Sequence, residues 1–450
     1  MPEASKELDS CSATGTLHVE PIEGNYFVST YPPFSCWKKE KVDELRRILS
    51  VPASSASQTP LGLYVHIPFC LQRCQYCYYL SYADTSGEQI DRYLDALATE
   101  LEICSRMPAL QGRRVDFVYF GGGTPSLLSA SRIGRLITAV KDVFPWNKAR
   151  EVTFECAPKS VTESKLEELR AAGITRVSLG VQQLDDAVLE TNGRIHLMRD
   201  VERAYTAIRR FGFATVNIDL MVGMVGETDA SFHDSLERAI DMQPESITIY
   251  QLEIPLNTPL YRTLHNGGDQ PLPADWNQKR VRLAAGFSRL EEVGYSLRSA
   301  YAAVREPQHH EFVYQDAQYK GADLLGVGVA SFSYLAGVHF QNLPSLEKYL
   351  GRLEAERLPW GRAYPLAKTE RCVREFILQL KLGKVDTAYF RNKFGIEIIQ
   401  QFAEPLQLFA DNDWLTFNDD TVVVTRKGLL RVDRLIPAFY LPKHRNVRYS

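Results

Sequence analysis

Nowhere does this 450-residue chain approach the roughly 20 consecutive apolar residues that a membrane-spanning helix needs, and its N-terminus lacks a charged region leading into an apolar core. Neither a membrane span nor a secretory leader is expected, and the chain reads as cytoplasmic. Charge of one sign is also missing. With a net charge of −3, no long basic block and no basic residues interleaved with aromatics, nucleic-acid binding has no support. The one dense basic stretch, KKEK at Lys38 to Lys41, reads as a solvated helix face. A disulfide framework is absent too: of eight cysteines, Cys11, Cys36, Cys104, Cys156 and Cys372 follow no repeated spacing and read as ordinary thiols of a reducing compartment. There is no internal repeat and no long low-complexity segment. What the chain does have is a 45% hydrophobic content, enough for one large α/β domain with smaller appendages.

The remaining cysteines, Cys70, Cys74 and Cys77, stand at C-x3-C-x2-C spacing directly after the apolar run Leu61 to Phe69. Soft thiolate ligands favour iron–sulfur clusters or zinc. A structural zinc site normally closes its shell with a fourth Cys or His, and the next residues, Tyr78 and Tyr79, are poor ligands. Three thiolates could instead hold three irons of a cluster and leave a fourth open. A zinc knuckle and a chance grouping of reduced thiols are the competing readings.

Short β-branched and aromatic runs alternate with amphipathic segments along the first half of the chain. The runs are Leu61 to Ile67, Asp116 to Phe120, Glu151 to Glu155, Arg176 to Val181, Thr215 to Met221 and Ser246 to Leu252. Between them lie helical patterns at Ile90 to Met107, Ser129 to Phe144, Glu163 to Ala172, Asp200 to Phe211 and Ala230 to Met242. Ser160 with Glu163 reads as a capping box, and Gly173 and Gly212 fall where helices should stop. This cadence predicts a parallel sheet built from right-handed crossovers, a partial (β/α)6 barrel with reactive groups at the C-terminal strand ends. Tyr64 and His66 occupy alternate positions of the first strand and should share its interior face. Downstream, Tyr261 to Arg298 reads as loop and helix, and Lys320 to Tyr334 as a Gly-rich strand-like segment. From about Leu366 the pattern changes to helices (Glu370 to Leu382, Phe390 to Phe409), a turn at Asn418-Asp419-Asp420 and a small hairpin, a winged-helix-like arrangement without a basic face. The expected division is an N-terminal arm (1–58), the barrel (59–265), a barrel extension covering the substrate (266–365) and the winged-helix-like domain (366–450).

Several motifs in register carry a family likeness: YVHIPFC at Tyr64 to Cys70 with the cysteine spacing, FGGGTPS at Phe120 to Ser126, Glu155, RVSLGVQ at Arg176 to Gln182, GRIH at Gly193 to His196, and Asp219. Together they resemble the radical S-adenosylmethionine (SAM) superfamily, in its oxygen-independent coproporphyrinogen III oxidase-like branch, which also contains haem chaperones and radical SAM methylases and cyclopropanases. The resemblance covers most of the chain. It implies a 4Fe–4S cluster on Cys70, Cys74 and Cys77, and one or two molecules of SAM held by Tyr64, Gly122, Gly123, Thr124, Glu155, Gln182, Arg194 and Asp219. His66 is the candidate proton donor, with a structural histidine as the alternative. Glycines at 121 to 123 let backbone approach a ligand, and Arg194 could clamp a carboxylate. Tyr76 would shield the cluster or adenine.

The resemblance further implies reductive cleavage of SAM to a 5′-deoxyadenosyl radical that acts on a small-molecule substrate, a tetrapyrrole or another organic compound. An electron donor such as flavodoxin or ferredoxin would supply the reductant. One departure bears on the reaction: the oxidases carry a further cysteine after one residue beyond the third, at the position where this chain has Tyr79. The alternatives are a two-SAM methylase or cyclopropanase, and a haem chaperone in which His309 or His310 would ligate haem. The YPPFSCW segment, Tyr31 to Trp37, would extend over the active site or serve as a packing arm.

Overall fold

The computed structural model describes residues 20–24, 26–53, 59–266, 271–445 and 447–449; Cys11 and part of the Ser-rich stretch before the first strand lie outside them. Alternation along six strands decides the central architecture. In β1 (Leu61–Ile67), β2 (Val115–Gly122), β3 (Glu151–Cys156), β4 (Arg176–Gln182), β5 (Thr215–Val222) and β6 (Ser246–Gln251), alternate residues are mostly aliphatic or aromatic and pack outward against helices. Leu63, Val65, Phe120, Phe154, Leu179, Ile218 and Ile249 are of this set, all essentially buried. The intervening positions point inward and are mostly polar: Tyr64, His66, Tyr119, Thr153, Glu155, Ser178, Asn217, Asp219 and Thr248. The apolar core therefore lies between sheet and helices, and the concave interior remains a polar lumen.

All six strands are parallel, in the order of the sequence. They form the middle of one continuous 12-stranded sheet, ordered β12-β11-β10-β9-β1-β2-β3-β4-β5-β6-β8-β7. β9 (Asp323–Val327) lies parallel beside β1, so the first strand is interior to the sheet. The antiparallel strands β10 (Phe332–Leu335), β11 (Val338–Asn342) and β12 (Trp360–Pro365) extend one side, and β7 (Ser296–Leu297) with β8 (Ala302–Val304) the other. The barrel stays open, with β12 and β7 as its edges.

Helices fall close to the expected segments, and Gly173 and Gly212 end theirs at φ of 82° and 63°. The capping box at Ser160 does not form. A 3-10 turn, Pro158–Ser160, intervenes, Thr162 takes the N-cap, and the Ser160 hydroxyl donates to Ala157 O and pairs with Ser126. A short helix, Asp186–Thr191, was not anticipated; Asp185 caps it through the Ala187 and Val188 N–H groups.

After residue 366 a second apolar cluster centres on Phe376, Phe390, Phe402 and Phe439. Helices Lys368–Leu380, Thr387–Phe394 and Ala403–Asp411 surround a small antiparallel sheet of β13 (Lys384–Asp386), β14 (Leu415–Phe417) and β15 (Thr421–Val424), in the order β13-β15-β14. The Asn418-Asp419-Asp420 turn joins β14 to β15, with Asn418 accepting from the Asp420 and Thr421 N–H groups. The YPPFSCW segment packs against β10 and β11, on the sheet face that Tyr64 shares, and against the C-terminal region: Tyr31 is buried against Tyr440 and His444, and Trp37 stacks on His339 at 4.9 Å. The earlier stretch crosses the barrel end, where Glu23 and Gly24 bridge Ile254. Among the described residues, no helix is long and apolar enough to cross a membrane.

Candidate functional site

The cysteine loop leaves the C-terminal end of β1 and is pinned at its base. Cys70 N–H donates to Tyr82 O (3.0 Å) and Tyr82 N–H to Pro68 O (2.8 Å). Inside the loop, Cys77 N–H donates to Cys74 O, and the Arg73 guanidinium holds Cys77 O from two nitrogens, at 3.2 and 2.8 Å. Gln75 ties the loop to the barrel through Asn192 O and the Leu260 N–H. Cys70, Cys74 and Cys77 emerge as free, half-buried thiols. Burial pushes the Cys70 thiol up and the Cys77 thiol to about 11, the neighbouring Cys74 adding to the latter. Thiols so placed ionise readily only against compensating positive charge, which metal ligation provides. Among the described residues, no three His, Cys, Asp or Glu side chains converge closely enough for a single metal ion.

Two side chains reach the cysteines from the barrel. Thr124 Oγ1 lies 3.5 Å from Cys70 Sγ, and Arg194 Nη1 donates to Cys74 Sγ at 3.2 Å. Arg194 Nη2 donates to Gly180 O at 2.8 Å. His196 is held against Val181 O at 2.9 Å, and burial with the Arg194 charge depresses it to about 3.

The glycine turn at the end of β2 is shaped by close approach. A Cβ on Gly123 would come within 2.7 Å of Phe69 O and 3.0 Å of Cys70 Sγ, and one on Gly122, at φ 120°, within 2.6 Å of the His66 ring. The Gly123 and Thr124 N–H groups donate to Ile67 O and Phe69 O, each at 2.8 Å, and Gly122 N–H donates to Glu155 Oε2 at 3.1 Å. With those donors engaged, what remains to the turn is acceptor capacity, the complement of an ammonium group.

Two inward carboxyls lie deeper. Glu155 accepts from Tyr119 OH at 2.7 Å, and burial raises it to about 7, with Asp219 adding to the effect. Asp219 accepts from Ser178 Oγ and Asn217 Nδ2, each at 2.8 Å, and burial raises it to about 6. Tyr64 OH and His66 Nδ1 are 3.2 Å apart, as their shared face predicts, and burial lowers His66 to about 4, leaving a neutral imidazole. Gln182 sits at a register shift of β4 with φ 69°, a left-handed conformation costly for a residue with Cβ and common at functional sites.

The fit of these residues to a polar ligand rests on unpartnered atoms. His66 Nε2, Tyr76 OH, Gln182 Oε1 and Arg194 Nε are all buried without a hydrogen-bond partner; Leu80 backbone nears the His66 ring outside hydrogen-bond geometry. His66 and Gln182 belong to the C-terminal parts of β1 and β4, Tyr76 to the cysteine loop, and Arg194 to the connection after the helix Asp186–Thr191. Buried polar groups are rarely left unpaired, so their concentration here matches a zwitterionic, ribose-bearing ligand beside a thiolate-bound cluster. The sequence reading missed Tyr119, Ser178, Asn217 and Thr248, which hold the two carboxyls; their signal was the period-2 alternation of polar residues inside otherwise apolar strands. His309 and His310 lie elsewhere. His310 Nδ1 faces Thr215 at the start of β5, the N-terminal strand end opposite the cysteine loop.

Comparison with known proteins bears on this geometry. Residues 64–239 match the radical SAM superfamily, and residues 366–431 match the HemN C-terminal domain. Heme chaperone HemW of Mycobacterium tuberculosis is 30% identical over 388 residues, covering 84% of this chain and 94% of that protein. Oxygen-independent coproporphyrinogen III oxidase of Escherichia coli is 28% identical over 398 residues, covering 85% of this chain and 86% of that protein. The solved structure of coproporphyrinogen III oxidase (HemN) from Escherichia coli, described as a radical SAM enzyme, superposes with a TM-score of 0.79 at 26% identity over 92% of this chain and 96% of the other.

Proposed function

We propose, for a chain that belongs to the radical SAM superfamily and within it to the branch of oxygen-independent coproporphyrinogen III oxidases and HemW heme chaperones, that it is an enzyme modifying a tetrapyrrole or other small organic substrate by radical chemistry. The family's cofactors are a 4Fe–4S cluster and SAM, which together supply a 5′-deoxyadenosyl radical able to take hydrogen from an unactivated carbon. The observation that carries the reading is the set of unpartnered groups, His66 Nε2, Gln182 Oε1 and Arg194 Nε, around a polar lumen beside three free thiols.

In this reading Cys70, Cys74 and Cys77 hold the cluster. The Gly122-Gly123-Thr124 turn accepts from the SAM ammonium, and Arg194 Nε donates to its carboxylate. Glu155, Asp219 and Gln182 accept from ribose hydroxyls or the adenine amine, and Tyr64 packs against the cofactor. His66, buried and neutral, presents Nε2 to the lumen as hydrogen-bond partner or proton carrier. The barrel walls exclude water from the reacting carbon, and residues 266–365 with the domain from 366 onward cover the open side. The site would work in a reducing cytoplasm with a flavodoxin- or ferredoxin-type donor.

A heme-chaperone reading is favoured by the 30% identity to HemW and by Tyr79 at the position of the oxidase-associated cysteine. His309 and His310, at the far strand ends, would hold haem away from the cysteine loop.

The test is anaerobic reconstitution with iron and sulfide, then reductant and SAM, with mass spectrometry of 5′-deoxyadenosine and S-adenosylhomocysteine in the presence of coproporphyrinogen III, haem or neither. Deoxyadenosine is expected, and each of Cys70→Ala, Cys74→Ala and Cys77→Ala should abolish it; unchanged formation in these variants would sink the assignment. S-adenosylhomocysteine alongside it would favour a two-SAM methylase. Haem binding without SAM cleavage would transfer the reading to a chaperone.

A further inference from the structure

His66 is clamped from several sides. Its carbonyl accepts from Tyr93 OH at 2.7 Å, and the same phenol oxygen accepts the Val329 N–H at 3.2 Å. Gly328, at φ 101°, lies against it: an added Cβ there would come within 3.0 Å of the His66 Cβ and 2.8 Å of its carbonyl oxygen. A Cβ on Gly122 would meet the ring itself, 2.6 Å from both Cε1 and Nδ1. Both close approaches need glycine, and together with Tyr93 they fix where the imidazole stands. Its two nitrogens have unequal surroundings. Nδ1 faces Tyr64 OH at 3.2 Å, whereas Nε2 is buried without a partner.

A neutral imidazole carries one N–H and one lone pair, and the hydrogen bond made at one nitrogen decides the state of the other. Burial keeps His66 neutral at physiological pH. The bond between Tyr64 and His66 can run in either sense. A phenol is the better donor of the two groups and an imidazole nitrogen the better acceptor, so the favoured sense is from Tyr64 O–H to Nδ1. Among the described residues Tyr64 OH has no second partner, and the reverse sense would leave its proton unused. With Nδ1 accepting, the ring proton belongs on Nε2.

We propose that Tyr64 is a positioning residue for His66: its hydroxyl holds the imidazole in the Nε2–H form, so that His66 presents a fixed donor, not a base, to a lone-pair acceptor on SAM. This rests on the reading above, in that the ligand beside the cysteine loop is SAM. It narrows the two roles given there to His66 to one. The Nδ1 lone pair is taken by Tyr64 and Nε2 already carries its proton, so neither nitrogen is free to accept one from a substrate. An oriented donor in a buried site needs no reorganisation when its acceptor arrives, and an unpaired buried N–H selects for a ligand that can accept from it.

NMR of the full-length protein labelled with nitrogen-15 in its histidines reads the tautomer directly, because ring protons couple differently to a protonated and an unprotonated nitrogen. The His66 signals are those lost in His66→Gln. At neutral pH the wild-type protein, before and after reconstitution with iron and sulfide, should show Nε2 protonated. Tyr64→Phe, which keeps the ring and removes the hydroxyl, should lower the ratio of Nε2–H to Nδ1–H by roughly fivefold. Tyr93→Phe, which frees the His66 carbonyl and leaves Nδ1 alone, should change it by less than about twofold. An Nδ1–H ring in the wild type, or a ratio unmoved by Tyr64→Phe, overturns the assignment; the wild-type spectrum decides alone if unfolding midpoints show that the Phe variant has lost its fold. Equilibrium dialysis of the reconstituted protein measures SAM binding separately. With SAM bound, the Nε2 resonance should shift and its proton should exchange more slowly with water; an Nε2 unmoved by bound SAM overturns the ligand contact and leaves the donor to the Leu80 backbone. Failure to bind SAM defeats that contact together with the reading above, whereas deoxyadenosine missing although SAM binds defeats the enzymatic reading alone.

Discussion

At Glu155 one carboxyl shows how burial and hydrogen bonding compete. The Tyr119 hydroxyl and the Gly122 N–H favour its anion, yet desolvation wins and raises it from the ordinary 4.5 to about 7. A carboxyl whose folded pKa lies above its unfolded value binds more protons in the native state, so stability falls as pH rises from about 4.5 to about 7. In the cluster-free protein, Glu155→Gln should flatten that fall by roughly 1–3 kcal/mol. Urea unfolding across this range checks it; an unchanged slope would mean that Glu155 is ionised in the native state throughout. Residue types at such positions were legible in the sequence, as Glu155, Gln182 and Asp219 on the strands and Arg194 in the GRIH segment. Their partners were not: Arg194 reaches Cys74 across a sequence separation of 120 residues, a meeting that only folding produces.

For the elements, the turn after β2 carries the sharpest constraint. Gly123 faces backbone of the cysteine loop, whereas Gly173, at φ 82°, has nothing within 4 Å of an added Cβ. Gly173→Ala should therefore cost only backbone strain, about 1 kcal/mol. Gly123→Ala must displace Phe69 and Cys70 and should lower iron and sulfide bound per chain severalfold after reconstitution. Full iron content in Gly123→Ala would show that the loop tolerates separation from the turn. Element periodicity was readable because outward positions of β1 to β6 meet helices and must be apolar. The capping box at Ser160 was misread because the same hydroxyl found nearer partners in Ser126 and Ala157, a choice that local pattern does not encode.

Across the whole molecule, the N-terminal segment, the barrel and the C-terminal region meet at Lys381. This fully buried ammonium donates to Val28 O at 2.6 Å and pairs with Asp433 at 2.6 Å, while Asp433 also accepts from the Val28 N–H and from Tyr301. Burial lowers the Lys381 pKa, and the Asp433 charge works against that. Removing one member of such a pair leaves the other uncompensated. Lys381→Met should cost about 3 kcal/mol in denaturant unfolding and open residues 20–31 to limited proteolysis; wild-type protection there would show that the segment is held by its aromatic contacts alone.

By itself the sequence determined the parallel strand-and-helix cadence, the three-thiol loop and the ordered strand-end motifs, because periodicity and spacing are local properties set by steric and burial demands along the chain. Tertiary structure alone decided that β9 flanks β1 in an open sheet, that YPPFSCW packs against β10, β11 and the C-terminal region, and that His310 lies at the opposite strand end from the cysteines. Those outcomes depend on which distant surfaces meet when the apolar faces are buried, and that pairing is a property of the assembled sheet rather than of any segment.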